Sequence, residues 1–151
     1  MNVAVPAEVA ELDEVELAAW RSLVRVHAAL VKVLDAELEA RHGLPLTSYE
    51  VLCSLRCAPG GKLRMAELAE HAMLSRSGMT RLIDRLEREG MVGRSSCDKD
   101  GRGCYAVVTP GGREAFDAAR TTYISVVRSG FLSHFTVDEM RDLADLLQRA
   151  L

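Results

Sequence analysis

The side chains with the clearest chemical potential fall between residues 75 and 102. Ser75, Arg76, Ser77, Thr80, Arg81 and Arg85 follow one another closely enough to share a helix, and Arg94, Lys99 and Arg102 come after them. Guanidinium groups grip phosphate and the guanine edge through paired hydrogen bonds, while hydroxyls and small residues let a backbone approach a phosphate chain. This is binding chemistry. Turnover chemistry has no comparable signature: the sequence holds no phosphate-cradling glycine loop, no nucleophile elbow and no His-Glu-x-x-His spacing. Ser75-Arg76-Ser77-Gly78 supplies a serine, but no histidine falls beside it by pattern. The expectation is a binding protein that is not an enzyme and needs no cofactor.

The segment that carries these arginines is basic in an acidic chain. Between Arg76 and Arg113 stand eight basic residues against five acids, a local net of +3, leaving the remainder at −6 in a chain whose total is −3. Phosphate contacts depend on local field and geometry, so the overall acidity does not argue against a nucleic-acid partner. The length of 151 residues fits one domain with a second lobe built from long helices, and 48% hydrophobic residues argue against disorder. A chain of this size buries roughly 68–70% of its surface, so neither disulfide nor metal is needed. No apolar run reaches the ~18 residues of a membrane span. Met1 to Asp13 carries Glu8, Glu11 and Asp13 without Lys or Arg, unlike a signal peptide. A cytoplasmic location is expected, with thiols in place of structural bridges.

The elements that must position the arginines can be read from periodicity. From about Glu11 to Arg41, Trp20, Val24, His27, Val31, Leu34 and Leu38 recur at steps of three and four, which predicts one helix of roughly 45 Å. Such a helix cannot bury its whole stripe against its own chain, and a second copy is the simplest cover. Thr47-Ser48-Tyr49-Glu50 reads as a capping box opening a second helix, closed by Pro59-Gly60-Gly61. Leu63 suits a very short strand. A short third helix from Met65 to Ala72 shows no serine or threonine cap. Ser75 caps a fourth helix that ends at Gly90, with Met79, Leu82, Ile83 and Leu86 as its buried face. Residues 91–95 and 104–108 read as strands around a charged loop containing Cys97 and Arg102. Thr109-Pro110 opens a fifth helix, and Thr136-Val137-Asp138-Glu139 is a capping box for a sixth. The expected fold is mainly α with a small β-hairpin wing: a winged helix-turn-helix plus a helical lobe. Ser77, Gly78 and Thr80 would admit the fourth helix to a major groove, and Arg102 at the wing tip would suit a narrow minor groove.

The stretch from Ser75 to Val92, through Thr80-Arg81-Leu82-Ile83-Asp84-Arg85-Leu86-Glu87-Arg88-Glu89-Gly90, resembles the recognition helix of MarR (multiple antibiotic resistance) regulators. Asp98-Lys99-Asp100-Gly101-Arg102, then Val108-Thr109 and Gly112-Arg113, resembles that family's wing. Three features depart from its pattern: Gly101 stands in place of a second wing arginine, the third helix lacks its usual cap, and Pro110-Gly111-Gly112 opens the fifth helix. The resemblance implies one MarR-type domain over 1–151, with 11–41 and 110–151 as a helical dimerisation region and 47–109 as the DNA-binding lobe. It further implies a homodimer on double-stranded DNA with a pseudopalindromic operator, acting mostly as a repressor relieved by a small phenolic or anionic effector.

Ser75, Arg76, Ser77, Thr80, Arg81, Arg85, Arg94, Lys99 and Arg102 are the expected DNA contacts, although Arg85 and Arg94 suit structural ion pairs equally well. Asp100 would orient a wing arginine. Trp20, His27, Tyr49, Cys53 and Tyr123 are candidates for an effector pocket between the lobes, and packing in a core is the plainer use of each. Arg21 and Arg25 could neutralise an anionic ligand, with solvated surface the plainer role. Cys53 and Cys57 lie four apart on one helix face, and Cys97 and Cys104 flank the wing loop. A four-thiolate zinc site would require a wing cysteine to join the body, so no metal is expected. A bridge between Cys97 and Cys104 is geometrically open, and inert thiols are the default. Two alternatives remain: a cysteine-oxidation sensor of the same fold, and a winged-helix protein-interaction module, which would carry a neutral or acidic recognition face.

Overall fold

The computed structural model describes residues 11–96 and 104–150. Among the described residues, six α-helices and three strands run in the order α1 (Glu14–His42), α2 (Leu46–Cys57), β1 (Lys62–Arg64), α3 (Met65–His71), α4 (Arg76–Arg88), β2 (Val92–Ser96), β3 (Cys104–Val108), α5 (Pro110–Gly130) and α6 (Val137–Gln148). The chain divides into two compact units: Leu34–Ile124, and a second that joins the residues up to Val33 to those from Ser125 onward. Among the described residues no helix is long and apolar enough to cross a membrane.

In the unit Leu34–Ile124, the expected face of α4 is sealed: Met79, Ile83 and Leu86 are fully buried with Leu52 and Leu55 of α2 and Leu68 of α3. The sheet is three-stranded and antiparallel in the order β1-β3-β2, with Lys62 opposite Val107 and Val92 opposite Val108. The two-residue period of β3 places Ala106 and Val108 in the core. β1 therefore completes the wing as a third strand.

One expectation is corrected. Thr47 does not cap α2, which begins at Leu46 with Pro45 as its N-cap residue, two residues earlier than a Thr47 cap implies. The free amide of Leu46 is satisfied from α1, donating to Asp35 Oδ1 at 2.9 Å, and Ser48 is fully buried inside the helix. Two of the departures from the family pattern find physical reasons. α3 is closed by the carboxylate half of a cap, Arg64 N–H donating to Glu67 Oε2 at 2.9 Å. At the opening of α5, a β-carbon on Gly112 would lie 2.0 Å from the Met91 carbonyl oxygen, so only glycine fits. Thr109 locks this junction, its Oγ1 accepting from Gly112 N–H at 3.0 Å and donating to the Gly90 carbonyl at 2.7 Å.

The second unit contains most of α1, the end of α5, and α6. Asp13 caps α1, its carboxylate accepting from the amides of Val15 and Glu16. At α6 the expected capping box forms: Thr136 N–H donates to Glu139 Oε2 at 2.8 Å, and Glu139 N–H donates back to Thr136 Oγ1 at 3.3 Å. The Thr136 amide, joined by the Thr136 hydroxyl donating to the same Oε2 at 2.9 Å, holds the Glu139 carboxyl below its ordinary pKa. The apolar stripe of this unit is open: Trp20, Leu23, Val24, Val26, Leu146 and Leu147 are all exposed, and α6 buries no residue. Trp20, Leu23 and Val26 of α1 face Phe131, Phe135 and Leu143 across a groove of about 550 Å³ with nearly all-apolar walls.

Candidate nucleic-acid interface

The N-terminus of α4 is built to meet a polyanion. Ser75 takes the cap, its Oγ accepting from Gly78 N–H at 3.1 Å, and the Ser77 hydroxyl lies 3.2 Å from it. Thr80 Oγ1 donates a hydrogen bond to the Arg76 carbonyl at 2.9 Å, keeping that side chain close to the helix. The exposed first turn thus combines small polar side chains with the positive end of the helix dipole. Preceding it, Met73 sits at φ +49° and is 92% exposed, making the turn between α3 and α4.

The arginines separate into two groups. Arg76 and Arg81 are exposed and, among the described residues, form no ion pair. Arg85 and Arg94 are committed within the fold. Arg85 Nη2 donates to the buried Ser48 Oγ, and its Nε lies 3.9 Å from Glu89 Oε1. Arg94 on β2 binds Asp84 Oδ1 and stands 3.3 Å from Glu87 Oε2, which ties the wing to α4. The Asp84 bond raises the already high pKa of the Arg94 guanidinium. Sequence spacing did not reveal the Ser48 and Glu87 partners. Lys62 and Arg64 of β1 stand 5.3 and 5.6 Å from the Tyr105 ring centroid, adding positive charge beside the wing strands. Lys99, Asp100, Arg102 and Cys97 lie outside the described residues.

Of the pocket candidates, the fold brings Tyr49, Cys53 and Tyr123 together around a cavity of about 650 Å³, with Cys57, His71 and Met73 also in its wall. The Tyr49 ring stacks between Phe116 and Tyr123, at 5.0 and 4.7 Å. Burial pushes the Tyr49 hydroxyl up to about 12, reinforced by Cys53 and Tyr123 and opposed by Arg120. Burial also raises Tyr123, with Glu50 and Cys53 adding to it. Trp20 lines the separate apolar groove of the second unit, and His27 is exposed on α1.

Residues 44–104, which contain α2 to β2 and the start of β3, match the model of the MarR family. A "Multiple antibiotic resistance protein MarR" of Salmonella typhimurium is 30% identical over 105 residues, covering 70% of this chain and 72% of that protein. An HTH-type transcriptional repressor of Mycobacterium tuberculosis is 30% identical over 127 residues, covering 84% and 88%. The chain belongs to the MarR family. A solved MarR family transcriptional regulator from Streptomyces coelicolor, crystallised with DNA, superposes with a TM-score of 0.88 at 30% identity, covering 96% of this chain and 91% of that one. MarR proteins are DNA-binding transcription regulators, and this chain is a winged-helix transcriptional regulator of that family.

Proposed function

We propose that this MarR regulator acts as a homodimer that grips a pseudopalindromic operator and represses transcription until a small phenolic or anionic molecule enters the Tyr49–Cys53–Tyr123 cavity. The observation that carries the DNA reading is the division of the arginines. Arg76 and Arg81 stay exposed beside a capped helix N-terminus, while Arg85 and Arg94 hold α4 and the wing in place. Ser75, Ser77 and Thr80 approach the phosphate backbone, Arg76 and Arg81 reach phosphate or a guanine edge, and Lys99 and Arg102 supply the wing contact. Arg94 acts on DNA through the wing it anchors. The open apolar stripe of α1 and α6 supports pairing with a second copy, which would set two α4 helices into successive major grooves about 34 Å apart. The repressor role is favoured by the mycobacterial relative, which bears that description. The stacked tyrosines and the Arg120 charge nearby suit an aromatic anion in the cavity.

Fluorescence anisotropy on a palindromic fragment at several salt concentrations tests the reading. Each neutralised phosphate contributes a slope of about −0.9 in log K against log salt. An affinity independent of salt would remove the electrostatic basis of the assignment.

A further inference from the structure

Two thiols in the wall of the Tyr49–Tyr123 cavity form a pair that DNA binding does not use. Cys53 is half-buried and Cys57 exposed; they stand four residues apart on α2, and both line that cavity. We propose that Cys53 and Cys57 form a dithiol site for mono-organyl trivalent arsenicals, with the organic substituent seated against Tyr49 and Tyr123.

Geometry selects this chemistry over the usual fates of paired cysteines. Side chains four apart on a helix hold their β-carbons about 5–6 Å apart, whereas a disulfide draws them to about 3.5–4.5 Å. Direct oxidation to a disulfide therefore requires α2 to unwind, while one atom placed between the sulfurs spans the gap. Structural zinc requires four ligands, and among the described residues no group of three His, Cys, Asp or Glu is arranged to hold a metal ion. Trivalent arsenic is pyramidal and thiophilic, and one organic substituent leaves it needing two sulfurs.

The reaction balances without a redox partner. In R–As(OH)2, two As–O and two S–H bonds break, two As–S bonds form, and two waters leave. Arsenic stays trivalent. Exposed Cys57 makes the first bond and Cys53 closes the ring. Burial and the neighbouring Cys57 raise the Cys53 thiol, keeping its proton available to the departing hydroxide and making it a poor target for direct oxidation. His71, Ala72 and Met73 line the same cavity, and Met73 is the turn residue two positions before the Ser75 cap of α4. An occupant held on α2 thus presses on the segment that places the DNA-binding helix. This consequence rests on the reading of the cavity as an effector site; the dithiol chemistry does not.

Phenylarsine oxide is the probe, with full-length Cys97→Ser/Cys104→Ser protein and excess glutathione present. Intact-mass spectrometry should find one phenylarsenic per chain, removed by 2,3-dimercaptopropanol. Capture should be lost in both Cys53→Ser and Cys57→Ser; position 57 is exposed, so thermal melting of that variant should match the parent. Undiminished capture by either variant, or no capture by the parent, overturns the site. Loading should also weaken DNA binding about tenfold or more. One phenylarsenic on Cys53 and Cys57 with unchanged DNA affinity would uphold the dithiol site and overturn the effector reading of the cavity.

Discussion

In the unit Leu34–Ile124, helices α2, α3 and α4 press Leu52, Leu55, Leu68, Met79, Ile83 and Leu86 into a closed core. In the other unit Trp20, Leu23, Val24, Leu146 and Leu147 remain exposed. The two are built from helices with the same three-and-four spacing, so periodicity does not distinguish them. What differs is whether the apolar face finds cover within one chain. The closed unit fixes Arg85 and Arg94 through Ser48, Asp84 and Glu87 and leaves Arg76 and Arg81 exposed. The open unit presents apolar area that a second chain can bury.

The largest effect should come from charging the open face. Leu23→Asp removes about 1.5–3 kcal/mol of burial per subunit, and a twofold interface counts that loss twice. Sedimentation should then show monomers at concentrations where the parent is dimeric, with binding to palindromic DNA lost as well. A Leu23→Asp protein that stays dimeric would break the contrast between the units. In the closed unit, Leu86→Ala should lower unfolding free energy by about 2–5 kcal/mol in a denaturant titration, and a loss near zero would mean that core is not sealed. Next is Arg81→Ala, expected to reduce operator affinity by about 1–3 kcal/mol with unchanged melting temperature. Arg102→Ala should lose a similar amount and leave the dimer intact. Ser75→Ala should cost about 1 kcal/mol of stability through loss of the α4 cap.

The smallest effect is a pH dependence of the closed unit. Tyr49 holds its proton to about 12 against an ordinary 10.0 because it is buried. The unfolded chain loses that proton first, so stability contributed by Tyr49 is intact below pH 10 and declines as pH rises towards 12. Phenolate absorbance should show tyrosines titrating above the ordinary range, and Tyr49→Phe should remove one of them.

Much of the fold was legible because its signals are local. Ser75 and the spacing of Met79, Leu82, Ile83 and Leu86 are enough to define α4, and Thr136 with Glu139 defines the start of α6. The start of α2 was not legible, because its first amide is satisfied by Asp35, eleven residues away on another helix. Thr47 and Glu50 carry the capping pattern, but a carboxylate from outside that pattern takes the role. For the same reason the commitment of Arg85 to Ser48 was hidden: 37 residues separate them. β1 is three residues long, too short for a two-residue period, and only Leu63 marked it as the very short strand it forms. Of the candidate pocket, Cys53 and Cys57 were visible as neighbours on one helix face. Their joining with Tyr49, Tyr123 and Met73 depends on how α2, α5 and the turn before α4 pack.

Hydroxyl-radical footprinting on the DNA upstream of the chain's own gene tests the central claim, that two α4 helices of a dimer occupy adjacent major grooves. The account predicts two protected patches centred about 10 base pairs apart, both weakened by Arg81→Ala. Protection of a single half-site, or a paired footprint indifferent to Arg81→Ala, would contradict it.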